Sequence, residues 1–360
     1  MKQKIGIGVI GTGFARKVQI PAFLACQKVQ ILSIASGSIE NARATAEEFD
    51  IKHFTDDWHE TVSHADVDLV CITTPPNLHC EMTLASIENG KHVLCEKPMA
   101  MNVAEAEEMT LAAAKKPILA LIDHELRFQP GRQLAFEMLR DGRIGKIKHA
   151  KYIFQAPHRG DPNIPWNWWS DASVGGGALG AIGSHVIDSF NWFLGTEIRS
   201  VVCQLQTRIK ERRDSTGAMR SVTSDDESNM LLRFKDGELT EDATGLVSVS
   251  MTETPKYKNQ IEFYGDKGAI YLNSHDELFV ANTGENDWTQ LGIVPGKLLP
   301  GYPNTGFSQG FMEFAPLIVD AIRDGRKHIE HAATFEDGLS VQKVLDAAHE
   351  SNRSGQAILL

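Results

Sequence analysis

Strands and helices alternate over the first third of the chain, and this alternation constrains the fold more than any other feature. Five apolar runs predict buried strands, at residues 4–10, 29–35, 68–73, 91–95 and 117–122. Helical patterns separate them, at residues 14–26 (with Pro21 inside), 39–49, 78–89 and 102–115. Strands that alternate with helices in this way are typical of a doubly wound parallel sheet. The sequence therefore predicts an α/β dinucleotide-binding domain over residues 1–122.

The pattern changes in the second part of the chain, where apolar or alternating runs follow one another without intervening helices. These runs lie at residues 146–155, 198–210, 229–235, 243–251, 259–264 and 268–272. Helical patterns flank them, at residues 130–140, 180–194, 307–323 and 335–351. Such runs predict a mostly antiparallel open sheet, and hence a second α/β domain over residues 123–360 that binds substrate and forms oligomers. The polar stretch 211–228 is expected to be an exposed loop or a mobile hairpin.

Composition excludes several classes of function. The formal net charge of −11 repels phosphate backbones, so we expect no nucleic-acid partner. No apolar run reaches the roughly 18 residues of a membrane span, and the glycine-rich N-terminal run is better explained as a first strand than as a signal peptide. The five cysteines form no C-x-x-C pair, which predicts no metal or redox site and fits a reducing cytoplasm.

A glycine turn follows the first strand and precedes the first helix. In GVIGTGFARKV, Gly11 and Gly13 allow a tight turn, and the backbone of Phe14 and Ala15 continues into the helix start, where a pyrophosphate can bind. The third small position of the G-x-G-x-x-G pattern is occupied by Arg16, so an ordinary strand–helix turn remains an alternative. The βαβ context favours dinucleotide binding.

The end of the second strand indicates which dinucleotide binds. An acidic residue at this point would bind the ribose 2′-hydroxyl of NAD, whereas this sequence has Ser36-Gly37-Ser38. The two hydroxyls, with Arg43 nearby, can hold a 2′-phosphate, so we predict NADP in preference to NAD. The alternative interpretation of Arg43 is a solvated helix face.

A Glu-Lys-Pro sequence follows the strand 91–95, at the edge where open α/β sheets bind their ligands. Lys97 can donate a hydrogen bond to a substrate oxygen or transfer a proton. Glu96 can orient this lysine or pack against the cofactor. The alternative is a surface ion pair at a strand end.

Five stretches of the sequence share their pattern with one known family. They are GVIGTGFARKVQIPAF, CITTPPNLHCEMTLASIENGKHVLCEKPMA, LRFQP, GGGALGAIGSHVIDSFNWFLG and ATFEDGLSVQKVLDAAHES. Together they span almost the whole chain and resemble the glucose–fructose oxidoreductase/inositol dehydrogenase (Gfo/Idh/MocA) family. The resemblance implies an N-terminal Rossmann domain and a C-terminal α/β domain whose open sheet often mediates homodimers or homotetramers. It also implies nicotinamide-dependent hydride transfer to or from a carbon that bears oxygen, commonly on sugars or polyols.

The same resemblance implies roles for individual residues. Lys97 would be the active-site lysine, and Glu96 would lie near the nicotinamide. Four residues of the TTPPNLH stretch would line the ribose and nicotinamide side of the cofactor: Thr73, Pro75, Asn77 and His79.

The stretch GGGALGAIGSHVID contains one histidine, His185, and lacks an acid that the family usually has. The acid would precede the histidine by four residues, where this chain has Ala181, and residues four apart share a helix face. Because histidine titrates near neutral pH, His185 and Lys97 can suffice for proton transfer, with Asp188 orienting the ring. The missing acid also allows a non-catalytic, nucleotide-responsive sensor or regulator, and a purely structural His185 is a third interpretation.

Two further elements are candidates for substrate binding. Trp166, Trp168 and Trp169 can stack on sugar faces or exclude water, and the alternative is packing of a long loop. Arg127 can bind a polar substrate or the cofactor, but it can equally pair with Glu125 or another acid.

The sequence thus predicts a cytoplasmic NAD(P)-dependent dehydrogenase or reductase that acts on CH–OH groups of a sugar, polyol or related small molecule. Lys97 and His185 would exchange the hydroxyl proton, with Arg127 and Trp168 as further substrate-binding candidates. A redox-neutral enzyme with tightly held nicotinamide is a less favoured hypothesis.

Overall fold

The computed structural model describes residues 4–360, which form two compact units. Unit 1 comprises the chain up to Phe128 together with Gly296–Leu339, and unit 2 comprises Gln129–Pro295 together with Ser340–Leu360. The sequence placed all residues after 122 in the second domain, and the structure differs for 123–128 and 296–339. The physical reason is that this later segment supplies core residues of unit 1, among them Phe311 and Phe314.

Helices and strands follow one another along both parts of the chain. The first part contains β1 (Ile5–Ile10), α1 (Ile20–Ala25), β2 (Val29–Ala35), α2 (Ile39–Phe49), β3 (His53–Thr55), α3 (Trp58–Ser63), β4 (Leu69–Ile72), α4 (His79–Glu88), β5 (His92–Cys95), α5 (Val103–Ala114), β6 (Ala120–Ile122) and α6 (Pro130–Arg140). The second part contains β7 (Ile147–Gln155), α7 (Ser184–Leu194), β8 (Ile198–Gln206), β9 (Glu211–Arg213), β10 (Met219–Ser221), β11 (Glu227–Phe234), β12 (Thr240–Ser250), β13 (Lys258–Gly265), β14 (Gly268–Leu272), β15 (Leu278–Asn282), β16 (Thr289–Gln290), α8 (Gly306–Asp324), β17 (Ala333–Thr334), α9 (Phe335–Ser354) and β18 (Ile358–Leu359).

Unit 1 is built on a seven-stranded sheet in the order β17-β6-β5-β4-β1-β2-β3. All its pairings are parallel except that of β17 with β6. Every residue of β1 and β4 is buried, which explains why these strands are continuous apolar runs rather than alternating ones. The predicted doubly wound parallel sheet is therefore confirmed. The short elements β3 and α3 were not predicted, because three and six residues give too little periodicity.

The first helix contains a π-helical segment, Ala15–Gln19, directly before α1. Pro21 lies in the first turn of α1. Because proline lacks an N–H and crowds the preceding turn, a widened turn before it lets the helix continue. This segment buries the Gln19 side chain, which has no water contact.

Unit 2 is built on a nine-stranded sheet in the order β16-β15-β14-β13-β7-β12-β11-β8-β18. Its pairings are antiparallel except that of β12 with β7, so the predicted mostly antiparallel sheet is confirmed. Helix α7 packs on this sheet through Phe190, whose ring makes edge contacts with Tyr152, Phe234 and Phe263. This packing positions the histidine of the glycine-rich stretch. Among residues 4–360, no helix is both long and apolar enough to cross a membrane.

The polar stretch 211–228 forms a hairpin, in which β9 pairs with β10. It holds the tryptophan-containing loop in place: the buried Arg212 guanidinium donates hydrogen bonds to the carbonyls of Asp161 (2.7 Å) and Ile164 (3.4 Å). The N–H of Trp166 donates to the carbonyl of Arg213 at 2.7 Å. The expectation of an exposed stretch therefore holds for β10 but not for Arg212, which is covered by the loop that it binds, or for residues 226–228, which are also buried.

Candidate functional site

The glycine turn after β1 has the backbone that its residues predict. Gly11 has a φ of +100°, and a Cβ atom there would lie 2.5 Å from the carbonyl oxygen of Thr73, so this position requires glycine. A Cβ atom on the exposed Gly13 would meet nothing within 4 Å. Phe14 is half-buried, and Ala15 is buried in the core of the sheet. The start of this helix therefore offers an open backbone surface that fits a pyrophosphate.

The segment after β2 contains a carboxylate that the sequence analysis did not consider. The Ser38 hydroxyl caps α2 by accepting a hydrogen bond from the N–H of Asn41 (3.3 Å), and it donates to Glu40 Oε2 at 2.7 Å. The hydrogen bond from Ser38 keeps the pKa of Glu40 below its ordinary value. Ser36 accepts a long hydrogen bond from the N–H of Ser38, 3.4 Å. Arg43 is exposed, with its guanidinium carbon 5.6 Å from the centre of the Phe54 ring.

The loop after β4 is tied to the glycine turn. Both the N–H and the hydroxyl of Thr73 donate to the carbonyl of Ile10, at 2.7 and 3.1 Å. Pro75 is half-buried and Asn77 is exposed. The structure therefore places Gly11 and Thr73 together at the carboxyl ends of adjacent strands, where a bound dinucleotide is expected.

His79 is fully buried, which differs from its expected place against the cofactor. Its Nδ1 lies 2.9 Å from the carbonyl oxygen of Pro98, and its Nε2 lies 3.0 Å from that of Thr74. Burial lowers the pKa of His79 to about 4, so the ring is neutral near pH 7 and its single N–H donates to one of the two carbonyls. With no exposed ring atom, His79 can only position the two loops that it joins. The sequence identified the residue but not its burial, because the acceptors are backbone atoms of another loop.

Lys97 and Glu96 follow β5 and form a close pair. Lys97 Nζ lies 3.9 Å from Glu96 Oε2, and the two side chains are 18% and 10% exposed. This low exposure argues against the alternative of a surface ion pair. The peptide bond between Lys97 and Pro98 is cis.

Arg127 belongs to unit 1, and it pairs with an acidic residue, which is the alternative to substrate or cofactor binding. Its side chain is 4% exposed, and its guanidinium donates to the carbonyl of His331 (3.2 Å) and to Asp337 Oδ1 (3.3 Å). Although burial opposes it, the charge of Arg127 contributes to keeping the pKa of Asp337 below its ordinary value. The sequence anticipated an acidic partner as an alternative but could not locate it, since 210 residues separate the two.

The tryptophans of unit 2 differ in how firmly they are held. Trp166 Nε1 donates to the carbonyl of Ser221 at 3.0 Å, and the Arg220 guanidinium lies 3.5 Å from the centre of its ring. Arg159 lies 5.1 Å from the centre of the Trp169 ring. These contacts support the packing interpretation for both rings. Trp168 is half-buried and contacts Trp169, with ring centres 5.7 Å apart.

The glycine run before α7 is anchored by Asp225, a residue that the sequence analysis did not single out. Asp225 Oδ2 accepts a hydrogen bond from the N–H of Leu179 (2.7 Å), and its carbonyl accepts from Ala178. Burial raises the pKa of Asp225 to about 6. A Cβ atom on Gly177, whose φ is +127°, would lie 2.3 Å from this carboxylate. The glycine is therefore needed for the approach of Asp225, although the polar stretch 211–228 contains no local pattern that reveals it.

Ala181, His185 and Asp188 are all buried, with exposures of 5%, 2% and 2%. Ala181 lies in a second π-helical segment, Leu179–Gly183, and His185 lies in the first turn of α7. The expected sharing of one face assumed a regular α-helix, whereas position 181 lies in a π turn, which contains about one residue more than an α-helical turn. Such turns are frequent at functional sites.

The two units carry the two halves of an oxidoreductase family. Residues 5–124 match the family described as "Oxidoreductase family, NAD-binding Rossmann fold", and residues 133–271 match the "GFO/IDH/MocA C-terminal domain". Levoglucosan dehydrogenase of Pseudarthrobacter phenanthrenivorans is 33% identical over 310 residues, covering 78% of this chain and 76% of that protein. An oxidoreductase of Synechocystis is 33% identical over 270 residues, covering 74% of this chain and 71% of that protein.

Solved structures agree with this assignment over the whole chain. An oxidoreductase domain protein from Kribbella flavida superposes with a TM-score of 0.88 at 30% identity, covering 99% of both chains. Levoglucosan dehydrogenase in complex with NADH and levoglucosan superposes with a TM-score of 0.86 at 28% identity, again covering 99% of both chains.

The fold and the residues at its strand ends thus define an oxidoreductase with an NAD-binding Rossmann domain. The chain belongs to the Gfo/Idh/MocA family. The predicted resemblance, fold class and enzyme class, a nicotinamide-dependent dehydrogenase acting on CH–OH groups, are confirmed.

Proposed function

We propose that this protein transfers hydride between a nicotinamide cofactor and the CH–OH carbon of a sugar, polyol or related compound. The Glu96–Lys97 pair carries the proposal, because it places a shielded cation beside one carboxylate at the carboxyl end of β5, within an NAD-binding domain. The structures of levoglucosan dehydrogenase with NADH and with levoglucosan or L-sorbose support a sugar-like substrate for this relative.

In this proposal the bound nicotinamide supplies the hydride acceptor or donor. Lys97 donates a hydrogen bond to the reacting oxygen and, together with His185, exchanges the proton of that oxygen. Gly11, Gly13 and the loop from Thr73 to Asn77 hold the dinucleotide. The half-buried Trp168 offers an aromatic face to the substrate.

The preference for NADP stays a prediction. Ser36, Ser38 and Arg43 support it, since hydroxyls and a guanidinium can bind a 2′-phosphate. The carboxylate of Glu40 opposes it, because it occupies the Ser38 hydroxyl and repels a second negative charge. The relevant measurement is the ratio of KM values for NADP and NAD in the wild type, in Glu40→Gln and in Arg43→Ala. A strong preference of the wild type for NAD would show that the predicted NADP preference is wrong. In that case, Glu40→Gln should lower the preference for NAD.

A homodimer or homotetramer also stays a prediction, supported by the outer face of the unit 2 sheet. Leu231 is 58% exposed, and its direct neighbours on adjacent strands, Val202 and Leu246, are each 40% exposed. A contiguous apolar row of this kind favours contact with a second copy of the chain. Sedimentation of Leu231→Lys should show a smaller species than the wild type.

The cytoplasmic location is likewise a prediction, which cell fractionation would test.

The first experiment follows the absorbance of reduced nicotinamide against a panel of sugars, polyols, sugar acids and their keto forms. On the best substrate, Lys97→Ala should lower turnover by about 10²–10⁴-fold while cofactor binding, measured by calorimetry, stays unchanged. The exposed Lys115→Ala is the matched control and should behave as the wild type. Normal turnover in Lys97→Ala would remove this residue from proton transfer.

The alternative function is a nucleotide-responsive sensor or regulator, and Ala181 at the usual acid position favours it. No turnover across the panel, together with nucleotide binding in calorimetry, would support this alternative. A gain of activity in Ala181→Asp would instead identify the alanine as a determinant of activity or specificity. A redox-neutral enzyme would copurify with nicotinamide that is reduced and reoxidised without net change.

A further inference from the structure

Behind the Glu96–Lys97 pair lies a cluster of polar side chains that is almost fully buried. Gln19, from the π-helical segment, and Asp123, directly after β6, are both 0% exposed, and Glu96 is 8% exposed. The Gln19 amide nitrogen donates to Glu96 Oε1 at 3.2 Å and to Asp123 Oδ2 at 2.7 Å. One amide group therefore holds two carboxyl groups side by side in the interior of unit 1.

Two ionised carboxylates are strongly disfavoured together at this position. They repel each other in a largely buried site, and one amide donor can offset only part of that repulsion. The second oxygen of Asp123, Oδ1, receives no hydrogen bond from the described residues, as expected for an oxygen that carries its own proton. Burial raises the pKa of Asp123 well above its ordinary value, and the neighbouring Glu125 and Glu96 raise it further.

Lys97 decides which of the two carboxyls stays ionised. Its ammonium lies 3.9 Å from Glu96 Oε2, and its positive charge opposes the effect of burial on the pKa of Glu96. Because one amide nitrogen, that of Gln19, bonds to both carboxyl groups, the two lie next to each other, and a protonated Asp123 can donate to the Glu96 carboxylate. Besides Lys97, further acidic groups face this pair: Cys71 on β4, Cys95 on β5, Glu125 and Tyr302. None of these acids favours a second negative charge.

We propose that Asp123 keeps its proton at neutral pH and donates it in a hydrogen bond to Glu96, with Gln19 holding both carboxyls in place. Glu96 is then the single carboxylate beside Lys97, and Asp123 is a positioning residue that acts through it. The consequence for Lys97 in catalysis rests on the proposed function, whereas the shared proton does not.

The test is infrared spectroscopy of the full-length protein at about pH 8, where ordinary carboxyl groups are ionised. We expect a protonated-carboxyl C=O band in the wild type. Carboxyl ¹³C labelling of aspartate should shift this band, and labelling of glutamate should leave it in place. Asp123→Asn should lack it. The matched control is Asp225→Asn, which removes another buried carboxyl with a pKa of about 6 and should therefore retain the band.

Three results would overturn the proposal: no band in the wild type, a band that shifts with labelled glutamate, or a band that persists in Asp123→Asn. The labelled wild type decides the question even if Asp123→Asn does not fold. The readout needs no substrate, so an inactive protein on the substrate panel would reject the proposed function and leave the band unchanged. Conversely, an active enzyme without the band would reject only the shared proton.

Discussion

The substitution Asp123→Asn should change how the stability of unit 1 depends on pH. A carboxyl whose pKa is raised by folding stabilises the folded state fully below the pKa of the unfolded chain, about 4, and this contribution is lost as pH rises toward the folded pKa. In that range the folded protein holds one proton more than the unfolded chain. The wild type therefore loses about 1.4 kcal/mol per pH unit through this group, whereas the amide of the variant does not titrate. As pH rises from about 5, the difference should therefore move in favour of the variant for as long as the folded protein keeps the Asp123 proton.

Urea unfolding followed by ¹⁹F NMR of 5-fluorotryptophan measures this effect unit by unit. Trp58 is the one tryptophan in unit 1, so its resonance reports on that unit, and the other five report on unit 2. Asp225→Asn is the control: its contribution should change only below about pH 6 and in the unit 2 resonances. Parallel stability curves for the wild type and Asp123→Asn would show that Asp123 titrates normally, and the reasoning from its burial would be wrong.

Three further substitutions test other parts of the structure. Arg212→Met leaves buried loop carbonyls without a donor, so it should lower the free energy of unfolding in urea by about 2–4 kcal/mol and shift the tryptophan emission. Substitution of the exposed neighbour, Arg213→Met, should have little effect on either quantity. His79→Ala removes the link between two loops, so it should lower the free energy of unfolding by about 2–4 kcal/mol. It should also lower the affinity for NADH in a fluorescence titration. Unchanged values for both quantities would contradict the positioning role. Asp337→Asn should be less stable than the wild type above the ordinary aspartate pKa of about 3.9. Unfolding measured as a function of pH should show this difference vanish as pH falls through the lowered pKa of the folded state. A difference that does not depend on pH would refute this prediction.

Much of the candidate site was accessible from local sequence. The glycine turn, the Glu-Lys-Pro sequence and the glycine-rich stretch with His185 each lie within a few residues, and each follows or begins an element whose periodicity is visible. The positive φ of Gly11 illustrates this: a strand, a tight turn and a helix start are all encoded in one continuous segment.

Long-range pairing was not accessible in the same way. Asp225 anchors the glycine run from 46 residues away, and nothing in a stretch rich in serine and aspartate distinguishes it from a solvated loop. His79 illustrates the same limit, because its two acceptors are backbone carbonyls, which any residue type can supply. The π-helical segments were also missed, since they are set by single-residue insertions into a helical pattern rather than by its period.

The sequence by itself determined the order and type of most elements and the doubly wound parallel sheet of unit 1, because periodicity and turn residues act over short distances. The class of chemistry followed from the resemblance of its motifs to the Gfo/Idh/MocA family. Only the tertiary structure decided that residues 296–339 complete unit 1, that Arg127 pairs with Asp337, and that Gln19 bonds to Glu96 and, 104 residues further along the chain than Gln19, to Asp123. These contacts depend on which faces of distant elements are buried together. Burial then sets the charges of the groups, a property that no short segment of the chain encodes.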